Sequence, residues 1–256
     1  MASQLISEAL GADSQIKSAL ELISHNQSVE LGIPATSLPF ITGLISNKTA
    51  GSLIICATDR TAEDIASQLA DFVNADQIAF FPAWETLPHE RLSPSGDTIG
   101  TRMAILRKLA NPKETGELKY LVTSVRAVIQ PMASGLGQIE PLVINEGQTF
   151  PPDEVIEKLS YLGYERVELV DRRGQFAVRG GIIDVFPPAQ PHPLRLEFWG
   201  DDVDDIRMFS VADQRSLEIE VNQLFATPCR ELLITDSVKA KAKNFAKAHP
   251  DFAEVF

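Results

Sequence analysis

Apolar and polar residues follow two different rhythms in the two halves of the chain. In the first half, continuous apolar runs alternate with helical stripes. Ser52 to Ala57 and Ile78 to Phe81 are apolar almost throughout, and Leu118 to Thr123 repeats the habit just before Val125 to Pro131. Between these runs, Ile65, Leu69, Phe72 and Val73 form one stripe of a helix predicted over Thr61 to Val73, with Thr58 or Asp59 as its cap. A second helix is predicted over Asp97 to Leu109. Strands that are apolar on both faces and alternate with helices predict a parallel sheet covered on both sides. Upstream, Leu5, Ile6, Leu10, Ile16, Leu20 and Ile23 recur at helical spacing with a break at Gly11. Val29 to Ile33 reads as a short strand, and Phe40, Ile41, Leu44 and Ile45 as a further helical patch.

From about Ala133 the pattern changes to a short helix, Pro152 to Leu162, set among strands of period two. Val167 and Leu169 alternate with Arg166 and Glu168, Asp171-Arg172-Arg173-Gly174 interrupts, and Phe176 and Val178 alternate with Gln175, Ala177 and Arg179. That pattern predicts a β-hairpin. Ile182 to Phe186 is a denser strand that must stop at Pro187-Pro188, where the backbone donor disappears. Leu194 to Trp199 turns through Gly200-Asp201-Asp202 into Val203 to Phe209. The expected organisation is an α/β layer domain over 1–132 and a small α+β domain with an antiparallel sheet over 133–225. In the last segment, 226–256, Glu231 to Ala248 reads as a polar helix and Phe252 to Phe256 ends without a terminator, as if a further domain had been cut short.

Composition narrows the function. With 256 residues and 44% apolar content the chain can bury a sizeable core. Its net charge of −12 argues against the broad positive field that non-specific nucleic-acid binding needs, and leaves room only for a local basic patch. Cys56 and Cys229 are far apart and belong to no CxxC or Cys/His cluster, which points to a reduced, cytoplasmic protein without structural zinc. No run reaches about 18 apolar residues and no charged segment precedes an apolar one at the N-terminus, so neither a membrane span nor secretion is expected.

Catalytic signatures are sparse. A phosphate loop must follow a strand, open a helix and supply a lysine. Thr42 to Thr49 ends in Asn47-Lys48-Thr49 but has Thr42 and Asn47 where the two glycines belong and runs into a strand, whereas Gly32 to Leu38 has the better position, with Gly32 and Ser37, and no lysine. Asp153-Glu154 fits the first turn of a helix. Asp201-Asp202 and Asp204-Asp205 flank a turn without the ligand spacing of a calcium loop. His25, His89, His192 and His249 are scattered, and no GxSxG elbow occurs. What remains is the arginine-bearing sheet. Arg166, Glu168, Arg179, Arg195 and Glu197 alternate with apolar residues and are expected on one exposed face, either as a solvated surface or as forks that pair with carboxylates across an interface. Phe176 reads either as core or as part of that contact.

These residues carry a family resemblance. The order FPAWETLPHERLSPSGDTIGTRMAIL (81–106), VTSVRAVIQPM (122–132), LGYERVELVDRRGQFAVRGGIIDVFPP (162–188) and LRLEFWGDDVDDIRMFSVADQRS (194–216) resembles the N-terminal module of the bacterial transcription-repair coupling factor (Mfd) family, itself similar to domains 1a, 2 and 1b of the excinuclease subunit UvrB. The resemblance implies a degenerate RecA-like, P-loop-type domain 1a over 1–132, an inserted domain 2 over 133–225 that docks on UvrA, and the start of domain 1b over 226–256. The pattern YxR…GxFxxRG…(I/L)RxEF carries the contact role to Arg166, Phe176, Arg179, Arg195 and Glu197, with Ala177 where UvrB often has another arginine. It further implies a non-catalytic adaptor that brings excision repair to a stalled RNA polymerase. ATP and magnesium would be bound, and DNA and polymerase engaged, by C-terminal domains beyond residue 256, one of which would also mask the UvrA surface. The alternative is an active UvrB-like damage-binding ATPase. Against it stand the missing lysine after Gly32 and the absence of tyrosine between Phe81 and Leu109.

Overall fold

The computed structural model describes residue 9 and residues 11–46, 51–87, 90 and 92–250. Leu5, Ile6, Leu10, the Asn47-Lys48-Thr49 motif, His89 and the terminal Phe252 to Phe256 lie outside the described residues. The architecture is mixed α/β, and it divides into two compact units, one of residues 1–93 and 105–131, the other of residues 94–104 and 132–256.

In the first unit, helix α1 (Ser14–Ser24) and α2 (Leu38–Ser46) precede strand β1 (Ser52–Cys56), helix α3 (Asp59–Leu69) and strand β2 (Ile78–Phe81). Helix α4 (Gly96–Ala110) contributes its last residues, 105–110, to this unit, and α5 (Pro112–Thr115), β3 (Tyr120–Ser124) and α6 (Val125–Ile129) complete it. The three strands are parallel in the order β1-β3-β2, as their apolar runs predict. Thr58 caps α3 by accepting a hydrogen bond from the Thr61 amide at 3.2 Å. Ala62, Ile65 and Leu69 of α3 then bury against Tyr120 and Val122. Coverage of both faces fails at the edge strand: Leu53 and Ile55 of β1 stay 57% and 49% exposed while their neighbours turn inward.

The region expected to resemble a phosphate loop is built differently. Val29 to Ile33 forms no strand; an irregular segment leads through extended Pro34 into a 3₁₀ turn, Ala35–Ser37, that opens α2. A Cβ on Gly32 would meet no atom within 4 Å, and its φ lies in the range any residue adopts. Neither close approach nor backbone strain requires a glycine there.

The second unit begins with residues 96–104 of α4 and continues through β4 (Leu142–Asn145), α7 (Pro152–Tyr161), β5 (Glu165–Arg166), β6 (Gln175–Arg179), β7 (Ile182–Val185), β8 (Leu194–Trp199), β9 (Asp202–Met208), β10 (Gln223–Ala226) and α8 (Asp236–Ala248). Strands β5 to β9 form one sheet in sequence order, and β4 and β10 pair separately as an antiparallel ribbon. Proline at N1 and the acids Asp153 and Glu154 start α7, whose Val155 and Leu159 are fully buried against the sheet's inner residues, among them Phe176, Leu194 and Leu196.

The predicted hairpin over 166–179 does not form. β5 has two residues and runs parallel to β6, with Glu165 opposite Gln175 and Arg166 opposite Phe176. The reason lies in Val167 and Val170. They leave the strand path to pack with Ala177, Phe186 and Phe209 on the far side of the sheet, where Val170 is wholly buried. The expected helix from Glu231 also starts late, at Asp236, because Glu231 is committed elsewhere. Its carboxylate accepts from Arg102 Nε at 2.5 Å and Nη2 at 3.1 Å, and the arginine is completely buried. This pair ties the start of α4 to the segment after β10. No helix among the described residues is long and apolar enough to cross a membrane.

Two predictions follow from buried polar groups in this unit. Removing one partner of a buried, bidentate pair strands the other, so Glu231→Ala should cost about 3–5 kcal/mol in urea denaturation; a loss below about 1 kcal/mol would show that the pair is dispensable. The second concerns alkali. Tyr164 Oη donates to the Thr227 carbonyl at 3.0 Å, and burial pushes the Tyr164 hydroxyl well above its ordinary value of 10.0 and the Cys229 thiol from 9.0 up to about 12. Both values are raised by folding, so the stability they carry is complete below the unfolded values and is lost as pH rises through the folded ones. The urea midpoint should hold level up to pH about 8.5 and fall from there toward pH 12; a level profile to pH 11 would contradict it.

Candidate functional site

The face of the β5–β9 sheet away from α7 carries the charged residues. Cross-strand partners share a face, so the register sorts them into rows. Phe176, Val185, Leu194 and Met208 form one inner row, and Val178, Ile183, Leu196 and Ile206 the next. On the outer face, Ala177, Asp184, Arg195 and Arg207 line up across four strands, followed by Arg179, Ile182, Glu197 and Asp205.

Asp184 organises this face. Its side chain is 1% exposed, in the middle of the apolar run Ile182 to Phe186. Arg195 grips it with two parallel bonds, Nε to Oδ1 at 2.7 Å and Nη2 to Oδ2 at 3.0 Å. Arg179 Nη2 donates to the same Oδ2 from the neighbouring strand. Arg195 is itself largely covered, stacks 4.7 Å above the Phe209 ring, and its hydrogen bond to Asp184 holds its pKa above the ordinary value. Arg207 balances the second row by pairing with Asp205 and, at 3.2 Å, with Glu197. Three arginines thus meet three carboxylates, and the face is neutral while its outermost guanidiniums stay at the surface.

The candidates read from sequence separate on this geometry. Arg179 and Glu197 stand together on the outer face with 44% and 35% of their side chains exposed. Arg195 stands with them as an internal clamp whose fork is spent on Asp184. Phe176 is fully buried in the core, so it supports the sheet from beneath and offers no ring to a partner. Arg166 is exposed, but the parallel register puts it in the row of Phe176, out of step with Arg179 and Arg195. Glu168 lies in a bend beyond β5, outside the shared face. Ala177 is buried opposite Asp184, where it completes the apolar cover with Val170, Phe186 and Phe209.

Two residues were missed. Asp184 reads as a member of an apolar strand; the signal was the acid itself, since a carboxylate in a buried run must have a cation nearby. Arg207 carried the same alternation as Arg195 but fell outside the motif. The Arg172-Arg173 loop is held by Gln175, whose Oε1 accepts from the Asp171 and Arg172 amides at 3.0 Å each. From that loop Arg173 reaches Asp97 at 2.5 Å, a structural tie, whereas Arg172 points to solvent.

The two arginines on Asp184 should behave differently from the acid. Asp184→Ala leaves the covered Arg195 without its counter-ion and should cost about 3–5 kcal/mol. Arg179→Ala removes a partly solvated partner and should cost about 1 kcal/mol or less. Equal losses for the two variants in chemical denaturation would show that Asp184 is not the hub.

Comparison with known proteins places this face in a defined region. Residues 142–231 match the family model described as the UvrB interaction domain. The chain is 51% identical over 202 residues to the transcription-repair-coupling factor of Mycobacterium bovis, covering 77% of this chain and 16% of that protein. It is 32% identical over 189 residues to the protein of the same name from Escherichia coli strain K12, covering 73% and 16% respectively. The one from Myxococcus xanthus is 31% identical over 206 residues, covering 78% and 17%. The chain therefore spans about one sixth of the length of these relatives.

Proposed function

The chain is related to the transcription-repair-coupling factors and carries a UvrB interaction domain at residues 142–231, and on that premise we propose that it is a non-catalytic adaptor that docks on UvrA through the outer face of the β5–β9 sheet. The observation that carries the proposal is the Arg179–Asp184–Arg195 assembly. It lies inside the matched region and holds a guanidinium at the surface against a buried acid, which lowers the ordering cost on binding. Glu197 offers a carboxylate in the same row as Arg179, across Ile182, so the face presents donor and acceptor in one row. A partner with the opposite arrangement would be oriented as well as held.

In this reading Arg195 and Phe176 are positioning residues and Arg179 and Glu197 are contacts, with Arg166 at the sheet edge as a peripheral one. The adaptor would bring the excision-repair machinery to a stalled RNA polymerase. ATP hydrolysis, DNA translocation and polymerase contact would belong to the remaining five sixths of the longer relatives. A further domain of the full-length protein would cover the same face until it is needed.

The test is calorimetric titration of the chain into purified UvrA. The expected result is saturable binding by the parent chain and at least about tenfold weaker binding by Arg179→Ala, with a melting temperature lower by no more than about 4 °C. Charge reversal at Arg179 is the poorer variant, because it would set a second carboxylate against buried Asp184 and confound binding with folding. Absence of binding by the parent chain, or undiminished binding by Arg179→Ala, would overturn the proposal.

A further inference from the structure

Trp199 is 84% exposed, the most exposed large apolar side chain among the described residues. Its neighbour Phe198 packs on the core from the same strand, so alternation turns Trp199 to the outer face, beyond Glu197. The position is rigid. Gly200 follows with φ +63° to make the turn into β9, and the Phe198 amide donates to the Gly181 carbonyl at 2.8 Å. A Cβ on Gly181 would stand 2.9 Å from the Phe198 carbonyl oxygen, so a glycine is needed for the two hairpin ends to meet this closely. The fold thus fixes the backbone that carries the exposed indole. A single exposed leucine needs no explanation, but a tryptophan this exposed, on a sheet face that also carries Arg179 and Arg207, has the composition of an interface anchor.

We propose that Trp199 is the apolar anchor of the docking face, entering a pocket on UvrA whose border is basic where it meets the β8–β9 turn. This rests on the reading of the sheet face given above and adds to it a residue that the charged motif does not contain. Continuity fixes the partner, since Trp199 extends the row structure of Arg179 and Glu197 on the same sheet and within the same matched region. Charge fixes the border, because exposed Asp202 stands opposite Trp199 in the register and Asp201 and Asp204, on either side of it in sequence, are exposed acids too. An indole buries roughly 150–250 Å² when enclosed, and charged pairs around it exclude water from the contact.

The experiment compares the parent chain, Trp199→Ala and Trp199→Phe in titrations against purified UvrA. The inference expects at least about thirtyfold weaker binding by the alanine variant and binding within several-fold of the parent for phenylalanine, with all three melting alike. A second measurement needs no mutation. In a fluorotryptophan-labelled chain, the fluorine resonance of Trp199 should shift or broaden on addition of unlabelled UvrA, while that of Trp84 stays in place. If the parent binds and the alanine variant binds equally well with an unmoved resonance, the anchor is refuted and the adaptor reading stands. If the parent does not bind at all, both fail.

Discussion

A carboxylate buried in the middle of a sheet has to be neutralised on the spot, and most of what this face can do follows from how Asp184 is neutralised. Leaving it unpaired would cost more than the domain's other local choices could repay. The register places Arg195 directly opposite and Arg179 one row along, and both converge on its oxygens. The consequence is a division of labour between two arginines that look alike in sequence. One is absorbed as a structural clamp stacked on Phe209, and the other is held in place while much of its surface remains in water. A surface guanidinium normally sacrifices rotamer freedom when it is bound; here the buried acid has already removed much of that freedom.

The surrounding structure keeps this arrangement stiff. Helix α7 closes the inner face with Val155 and Leu159, the Val170 cluster closes one end of the outer face, and Gln175 braces the loop between β5 and β6. Arg102 and Glu231 supply a buried link between the start of α4 and the stretch after β10, both within the same compact unit. What is left open on the outer face is narrow: Arg179, Glu197, Arg207 and the indole at the strand end. Charged groups flanked by an exposed aromatic ring are a usual composition of a protein-binding surface.

Much of this was legible from alternation. Strands β7, β8 and β9, the β8–β9 turn at Gly200, and helices α3, α4 and α7 all follow patterns of period two or 3.6 that burial enforces. The parallel pairing of β5 was not legible, because Val167 and Leu169 alternate correctly for a strand, and only the three-dimensional neighbours of Val170 show that leaving the sheet buries more. Phe176 and Arg179 sit three residues apart in one motif, yet the pleat sends one to the core and the other to the surface, a difference that the motif does not reveal. Glu231 gave no local sign of its distant partner Arg102, since 129 positions separate them. At Gly32 the sequence offers a glycine in a suggestive place that its backbone conformation does not require.

Hydrogen exchange of the chain with and without saturating UvrA tests the central claim most directly. Amides slow down where a partner excludes water or suppresses local opening. The account predicts slowed exchange concentrated at the two hairpin ends, residues 179–183 and 197–204, with little change in the first unit. Slowing confined instead to β1 and α6, around exposed Leu53, Ile55 and Ile129, would contradict it and move the docking surface to the other unit.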